Sequence, residues 1–190
     1  MRLNLGSGPF RAEGWLNVDA SVQLQPDLVH DFARDPFPMR DVDAIYCGHT
    51  LEHLWWSDVP SALEHCLDAL AVGAPMLVVG PDVLRAITCW NEGVIDWAEL
   101  MTILEHPSSG VDMRTHDGSP GDHIVPYKWE DGDEDCGWRH RWNCNEERVW
   151  WAMEQVGFRD VHSVPIDSPL LDDWPVVSRT PSQCAVLGRR

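Results

Sequence analysis

The chain has 190 residues, of which 44% are hydrophobic, and this suits one domain (1–190) with a sizeable core. Its formal net charge is -17. So acidic a surface repels phosphate groups, which argues against nucleic acid and anionic membranes as partners and leaves neutral or basic small molecules.

The chain has no apolar stretch near the ~20 residues of a membrane-spanning helix. The first predicted strand starts at Leu3, so we expect no secretion signal. We therefore expect a cytoplasmic protein whose six cysteines are reduced thiols.

Short apolar runs bounded by turn residues predict seven strands. In chain order they are Leu3–Leu5, Trp15–Val18, Asp27–His30, Asp43–Gly48, Met76–Gly80, Phe158–Val164 and Gln183–Leu187. Strands that alternate with helices indicate a mostly parallel sheet with helices on both faces. The last two strands have no helix between them, which predicts an antiparallel strand at the end.

Helical spacing of apolar residues predicts a helix that ends before Gly73 and is capped by Ser57 or Asp58. Residues Val83–Pro107 are predicted to be mostly helical with a break near Gly93. A last helix is expected from its cap Asn145 to Gly157.

The polar segment Ser108–Arg141 is the longest stretch without periodicity. So long a loop in a compact domain is usually functional or disordered. We expect it to be a lid that binds the substrate, and the alternative is an acidic loop that plays no part in turnover.

The turn after the first strand contains two glycines, Gly6 and Gly8, and Arg11 occupies the position of the third glycine of a dinucleotide site. The acid Asp19 follows only thirteen positions after Gly6. The segment between these strands has room for barely one helical turn, so it offers no helix N-terminus to a pyrophosphate. A cofactor with a ribose but no phosphate, such as S-adenosylmethionine (SAM), fits better.

Further segments occur in a recognisable order: "LNLGSG", "GWLNVD", "HDFARDPFP", "DAIYCGHTLEHL" and "GAPMLVVGPD". This order resembles the class I SAM-dependent methyltransferases, most closely small members with a "GWxNVD" second strand and an "HxLEHL" element. The resemblance implies a Rossmann-like open sheet of about seven strands, with SAM across the carboxyl ends of strands one, two and four.

The resemblance also implies roles for particular residues. Asp19 would bind the ribose, Asp31 and Phe32 would lie at the adenine, and Gly48 and His49 would line the sulfonium and face the substrate. The full expected cofactor set is Leu5, Gly6, Ser7, Gly8, Asp19, Asp31, Phe32, Gly48 and His49. Asn4 occupies the position before the turn at which many relatives carry an acidic residue. Relatives also often have a helix before strand one.

Three residues are candidate catalytic groups. His49 can accept a proton from an attacking hydroxyl or amine, although it can equally cap the following turn. His140 ranks second, because relatives often have a histidine there. Asp82 follows strand five, where a turn-forming Pro-Asp pair is the favoured interpretation. Glu52 and His53 are expected to be structural.

The loop and its surroundings contain residue types that bind zinc. They are His116, Asp117, Asp122, His123, Cys136, His140 and Cys144. No CxxC or HxxxH pair occurs among them, so we expect no metal. The 11 tryptophans can pack in the core, stack on a substrate or bury a homodimer interface.

These features predict a SAM-dependent methyltransferase that acts on an O or N atom of a small molecule or glycan. Two alternatives stay open. One is methylation of a basic protein side chain, which the acidic surface would suit. The other is a SAM-binding protein without turnover.

Overall fold

The computed structural model describes residues 1–105, 140–176 and 178–190. Within them, seven strands form one sheet in the order β3-β2-β1-β4-β5-β7-β6. The strands are β1 (Arg2–Leu5), β2 (Leu16–Asp19), β3 (Leu28–Val29), β4 (Ala44–Gly48), β5 (Pro75–Pro81), β6 (Arg159–Ser163) and β7 (Gln183–Arg189). Strands β1 to β5 run parallel, and β7 is antiparallel to both β5 and β6. The predicted sheet and its antiparallel last strand are confirmed.

The described residues also form four α-helices: α1 (Val59–Ala69), α2 (Val83–Asn91), α3 (Trp97–Glu105) and α4 (Glu146–Val156). Asn145 caps α4 as predicted, since its side chain accepts the backbone N–H of Arg148 at 2.8 Å. Gly157 ends α4 with a φ of 102°. No helix in these residues is long and apolar enough to cross a membrane.

The predicted capping of α1 by Ser57 or Asp58 is wrong. A short 3₁₀ turn, Trp56–Asp58, leads directly into α1. Asp58 therefore has helical backbone angles, and its side chain makes no capping hydrogen bond. Its carboxylate accepts the Ser57 hydroxyl at 3.1 Å instead.

Side chains of the central strands alternate between the two faces of the sheet, as the period of two requires. Ile45 and Cys47 of β4 face a core that includes residues of α1 and α4, while Tyr46 faces the opposite side. That second side packs against residues 164–176, among them Leu171 and Trp174. Both faces of the sheet centre are thereby covered.

The carboxyl ends of β1, β2 and β4 meet at one edge of the sheet. Leu5 pairs with Val18 on one side and with Cys47 on the other. The residues that follow each strand therefore emerge side by side. β3 is shorter than the predicted Asp27–His30. The Asp27 carboxylate accepts the backbone N–H of Asn17 in the neighbouring strand at 2.9 Å.

Candidate active site

The turn after β1 requires its glycines. Gly6 has a φ of 57° and Gly8 a φ of 55°, in the left-handed region that other residues rarely adopt. A Cβ at Gly6 would overlap the side chain of Thr50. The Thr50 hydroxyl contacts the carbonyls of Gly48 at 2.9 Å and Leu5 at 3.2 Å. The Leu5 side chain is fully buried, so only its backbone can contribute to a site.

Gly8 and Asp19 form the open part of this edge. The Gly8 N–H donates to one Asp19 carboxylate oxygen at 2.9 Å, and the Ser21 N–H donates to the other at 2.8 Å. A carboxylate has about four acceptor positions, so about two remain for a ligand. A Cβ at Gly8 would meet nothing within 4 Å. The buried Ser7 hydroxyl has no hydrogen-bond partner among the described residues.

A polar network behind the turn holds β1 and β2 in place. The Asn4 amide donates to Asn17 Oδ1 at 2.9 Å, and the Ala12 N–H donates to the same oxygen at 2.8 Å. Asn17 in turn donates to Asp27 at 2.7 Å. Hydrogen bonds from Asn17, together with the ion-paired Arg11, lower the pKa of the Asp27 carboxyl despite the opposing effect of desolvation. Asn4, although uncharged, thus links β1 to β2 through a side-chain hydrogen bond.

The two residues expected at an adenine ring follow β3. Asp31 accepts the Ala33 N–H at 3.2 Å and lies 3.3 Å from the Arg34 guanidinium. Phe32 is buried and stacks on Phe37 with ring centroids 6.2 Å apart. The Asp31 carboxylate is partly exposed, whereas the Phe32 ring belongs to the core.

His49 directly follows β4 and has a left-handed backbone, with a φ of 50°. Its hydrogen bonds define its tautomer. The Thr180 N–H donates to Gln183 Oε1 at 3.2 Å, which orients that amide. Gln183 Nε2 then donates to His49 Nε2 at 2.9 Å. The proton of the neutral ring therefore lies on Nδ1, which is 3.4 Å from Glu52 Oε1.

Glu52 is a buried carboxylate surrounded by imidazoles, with only 1% of its surface exposed. Burial alone would raise its pKa, but the 3.4 Å contact with His49 and the nearby His53 and His140 lower the pKa to about 2. Desolvation lowers the pKa of His49, and Glu52 outweighs this effect, so the net pKa of His49 is raised. The His49 side chain is 41% exposed and so faces the open edge.

His53 and His140 lie beside Glu52. Their ring centroids are 5.1 Å apart. One potential ligand atom from each of the three residues lies within 4.8 Å of the other two. The His53 carbonyl also accepts the Arg141 Nε–H at 2.7 Å, which ties the turn after β4 to the segment before α4.

Asp82 is engaged in structure. One of its oxygens accepts the Arg85 N–H at 3.0 Å and caps α2. The other accepts the Glu146 N–H at the start of α4 at 3.1 Å. The side chain is 4% exposed. This geometry agrees with the turn-forming role that the sequence favours, and catalysis by Asp82 stays a hypothesis.

The tryptophans divide between core and surface. Trp142 is buried against Trp56 with ring centroids 4.7 Å apart, and the Arg148 guanidinium lies 4.0 Å from the Trp56 centroid. Trp55 is 44% exposed at the site edge, with Arg141 4.4 Å from its ring centroid. The other exposed tryptophans among the described residues are Trp90, Trp97 and Trp151.

Residues 108–139 of the predicted lid Ser108–Arg141 lie outside the described residues. The same applies to several of the zinc-type candidates. They are His116, Asp117, Asp122, His123 and Cys136. Both the lid and those ligands stay predictions.

The chain has the fold of SAM-dependent methyltransferases. All of this chain aligns with 85% of a SAM-dependent methyltransferase from Archaeoglobus fulgidus, with 14% identity and a TM-score of 0.56. A SAM-dependent methyltransferase from Mesorhizobium loti is matched over 90% of its length, with 100% of this chain covered, 14% identity and a TM-score of 0.52.

Human N-acetylserotonin methyltransferase in complex with SAM also matches all of this chain, with 14% identity and a TM-score of 0.51. The match covers 47% of the human chain, so this chain spans about half of that longer protein. At such low identity, the likeness defines the fold alone. No protein-family model and no curated protein sequence matches the chain.

Proposed function

We propose that the chain is a SAM-dependent methyltransferase that transfers a methyl group to an O or N atom of a small molecule or glycan. One observation carries the proposal: the open, left-handed Gly8 lies hydrogen-bonded to Asp19 at the edge where β1, β2 and β4 end. Open α/β sheets bind their ligands at this edge. The shared fold of the solved methyltransferases supports the same site.

The residues at this edge fit the cofactor. The space at Gly8 suits its amino-acid part, and the remaining acceptor positions of Asp19 suit two ribose hydroxyls. Asp31 is partly exposed beyond β3, where an amino group can reach it. When bound, SAM would supply a methyl group bonded to a positively charged sulfur. After transfer of the methyl group, that sulfur would leave as a neutral thioether.

The chain's own part in transfer is chiefly to hold the acceptor atom in line with the methyl group, about 3–3.5 Å away. Gly48 and His49 lie where the acceptor would approach. In this proposal His49 Nε2 takes up the proton that the methyl-accepting atom releases. It gives up its hydrogen bond with Gln183 to do so. His140 is the second candidate, and Asp82, with both oxygens engaged, is the third.

Electrostatics favour a cationic cofactor and restrict the acceptor. Asp19 and Glu52 place carboxylates at the edge, and the whole chain carries a formal charge of -17. The acceptor is accordingly proposed to be neutral or basic. The acidic surface also suits a basic protein side chain, which is the second candidate acceptor.

The proposal is tested by incubating the chain with SAM and a panel of hydroxyl- and amine-bearing acceptors while S-adenosylhomocysteine (SAH) is measured. We expect SAH to form with at least one acceptor and its formation to fall in His49→Ala. If SAM binds but no small molecule, glycan or basic peptide yields SAH, the chain is a SAM-binding protein without turnover.

A further inference from the structure

We propose that Glu52, His53 and His140 form a binding site for a divalent transition-metal ion of the zinc class. This inference goes beyond methyl transfer and does not depend on it. Its first basis is geometry: one candidate ligand atom from each residue lies within 4.8 Å of the others. Ligand atoms of a tetrahedral zinc ion, at 2.0–2.1 Å from the metal, are about 3.3 Å apart. Small side-chain rotations therefore suffice to close the site.

The second basis is a pair of unsatisfied polar atoms. Glu52 Oε1 and His53 Nδ1 are both buried without a hydrogen-bond partner among the described residues. The contact from His49 to Glu52 Oε1, at 3.4 Å, is an ion-pair distance rather than a short hydrogen bond. Burying such atoms unsatisfied costs about 1–3 kcal/mol each, and more for a charged group. A bound cation would compensate the carboxylate directly.

The third basis is the way the backbone holds the ligands together. Glu52 and His53 lie in the 3₁₀ turn Leu51–His53 after β4. The indole N–H of Trp142 donates to the Leu51 carbonyl at 2.9 Å, and the Arg141 N–H donates to the Glu52 carbonyl at 2.7 Å. These bonds fix the segment that carries His140 against the turn.

The donor set selects the metal. Two imidazoles and one carboxylate suit Zn²⁺, Co²⁺ or a similar ion, whereas Mg²⁺ and Ca²⁺ prefer oxygen ligands alone. Three protein ligands leave at least one coordination position open, as in catalytic rather than structural zinc sites. The chemical class of ligand is therefore a divalent transition-metal ion with an exchangeable position.

The experiment uses the full chain after dialysis against a chelator, titrated with Co²⁺ and then with Zn²⁺. We expect one Co²⁺ per chain, a visible d–d absorption band, and displacement of that band by Zn²⁺ but not by Mg²⁺. Glu52→Gln, His53→Ala and His140→Ala should each weaken Co²⁺ binding more than about tenfold. The matched control His162→Ala changes an exposed histidine in β6 and should bind Co²⁺ normally.

Thermal unfolding of each variant shows whether weaker Co²⁺ binding comes from loss of a ligand or from loss of the fold. Glu52→Gln keeps the shape of the side chain. The double variant His116→Ala/His123→Ala removes the two histidines of the loop other than His140. Retained binding in that variant supports the assignment. Wild-type chain that takes up no Co²⁺, or binding lost only in the loop variant, overturns it.

Discussion

The backbone N–H of Gly8 donates to the carboxylate of Asp19 at 2.9 Å, which joins the glycine turn after β1 to the end of β2. The Ser21 N–H holds the other oxygen of the same carboxylate at 2.8 Å. The carboxylate is thus oriented before any ligand binds, with acceptor positions left over.

Asp19→Ala should weaken SAH binding by about 1.5–3 kcal/mol, the worth of hydrogen bonds to a charged group. Titration calorimetry measures the change. Asp35→Ala is the matched control, because it removes the same charge from an exposed turn of the neighbouring loop. Equal SAH affinity in wild type and Asp19→Ala would remove Asp19 from the site.

Gly8→Ala should abolish most SAH binding while costing the fold only about 1–2 kcal/mol for a left-handed alanine. Gly73→Ala is its control, since Gly73 also has a positive φ, 80°, and no atom within 4 Å of an added Cβ. Both variants carry a similar backbone cost, so their free energies of unfolding, measured in urea, should be similar. A similar SAH affinity for the two variants would show that no ligand approaches Gly8.

Asp82→Ala should lower the free energy of unfolding by at least the ~0.5–2 kcal/mol of one helix cap, because Asp82 accepts N–H groups at the starts of both α2 and α4. Urea denaturation measures the loss, with Asp172→Ala as an exposed control. Unchanged stability together with abolished turnover would instead favour a catalytic role for Asp82.

Asp27 gives a pH-dependent prediction. Its hydrogen bonds from Asn17 lower its pKa in the folded chain below the ordinary value of 3.8. The stabilisation is therefore present above that value and is lost as the pH falls through the lower, folded value. Asp27→Asn should be less stable than wild type at pH 6, and the difference should shrink below about pH 4. Urea midpoints across this range check it, and a constant difference would contradict it.

The sequence was sufficient to predict the fold because its signals are local. Short apolar runs bounded by turn residues predict strands such as β4 and β5, and Asn145 and Gly157 mark both ends of α4. Where a local signal failed, a neighbouring turn was the cause. Asp58 has the residue type of a helix cap, but the preceding 3₁₀ turn gives it helical angles.

The candidate site could be predicted only where its residues lie at a strand end or directly after one, as Asp19 and His49 do. Gln183 lies 134 positions from His49, and no spacing rule connects them. The cluster of Glu52, His53 and His140 combines two adjacent residues with one far along the chain, so it matches no standard metal-binding spacing. Such groups become visible only once the sheet brings β4, β7 and the segment before α4 together.

We propose that the edge formed by Gly8 and Asp19 binds SAM. Titration calorimetry of the full chain with SAH, and in parallel with NAD, tests it most directly. We expect SAH to bind one per chain with a Kd in the micromolar range, about -8 kcal/mol, and NAD to give no heat of binding. Binding of NAD without binding of SAH would show that this edge is not a SAM site.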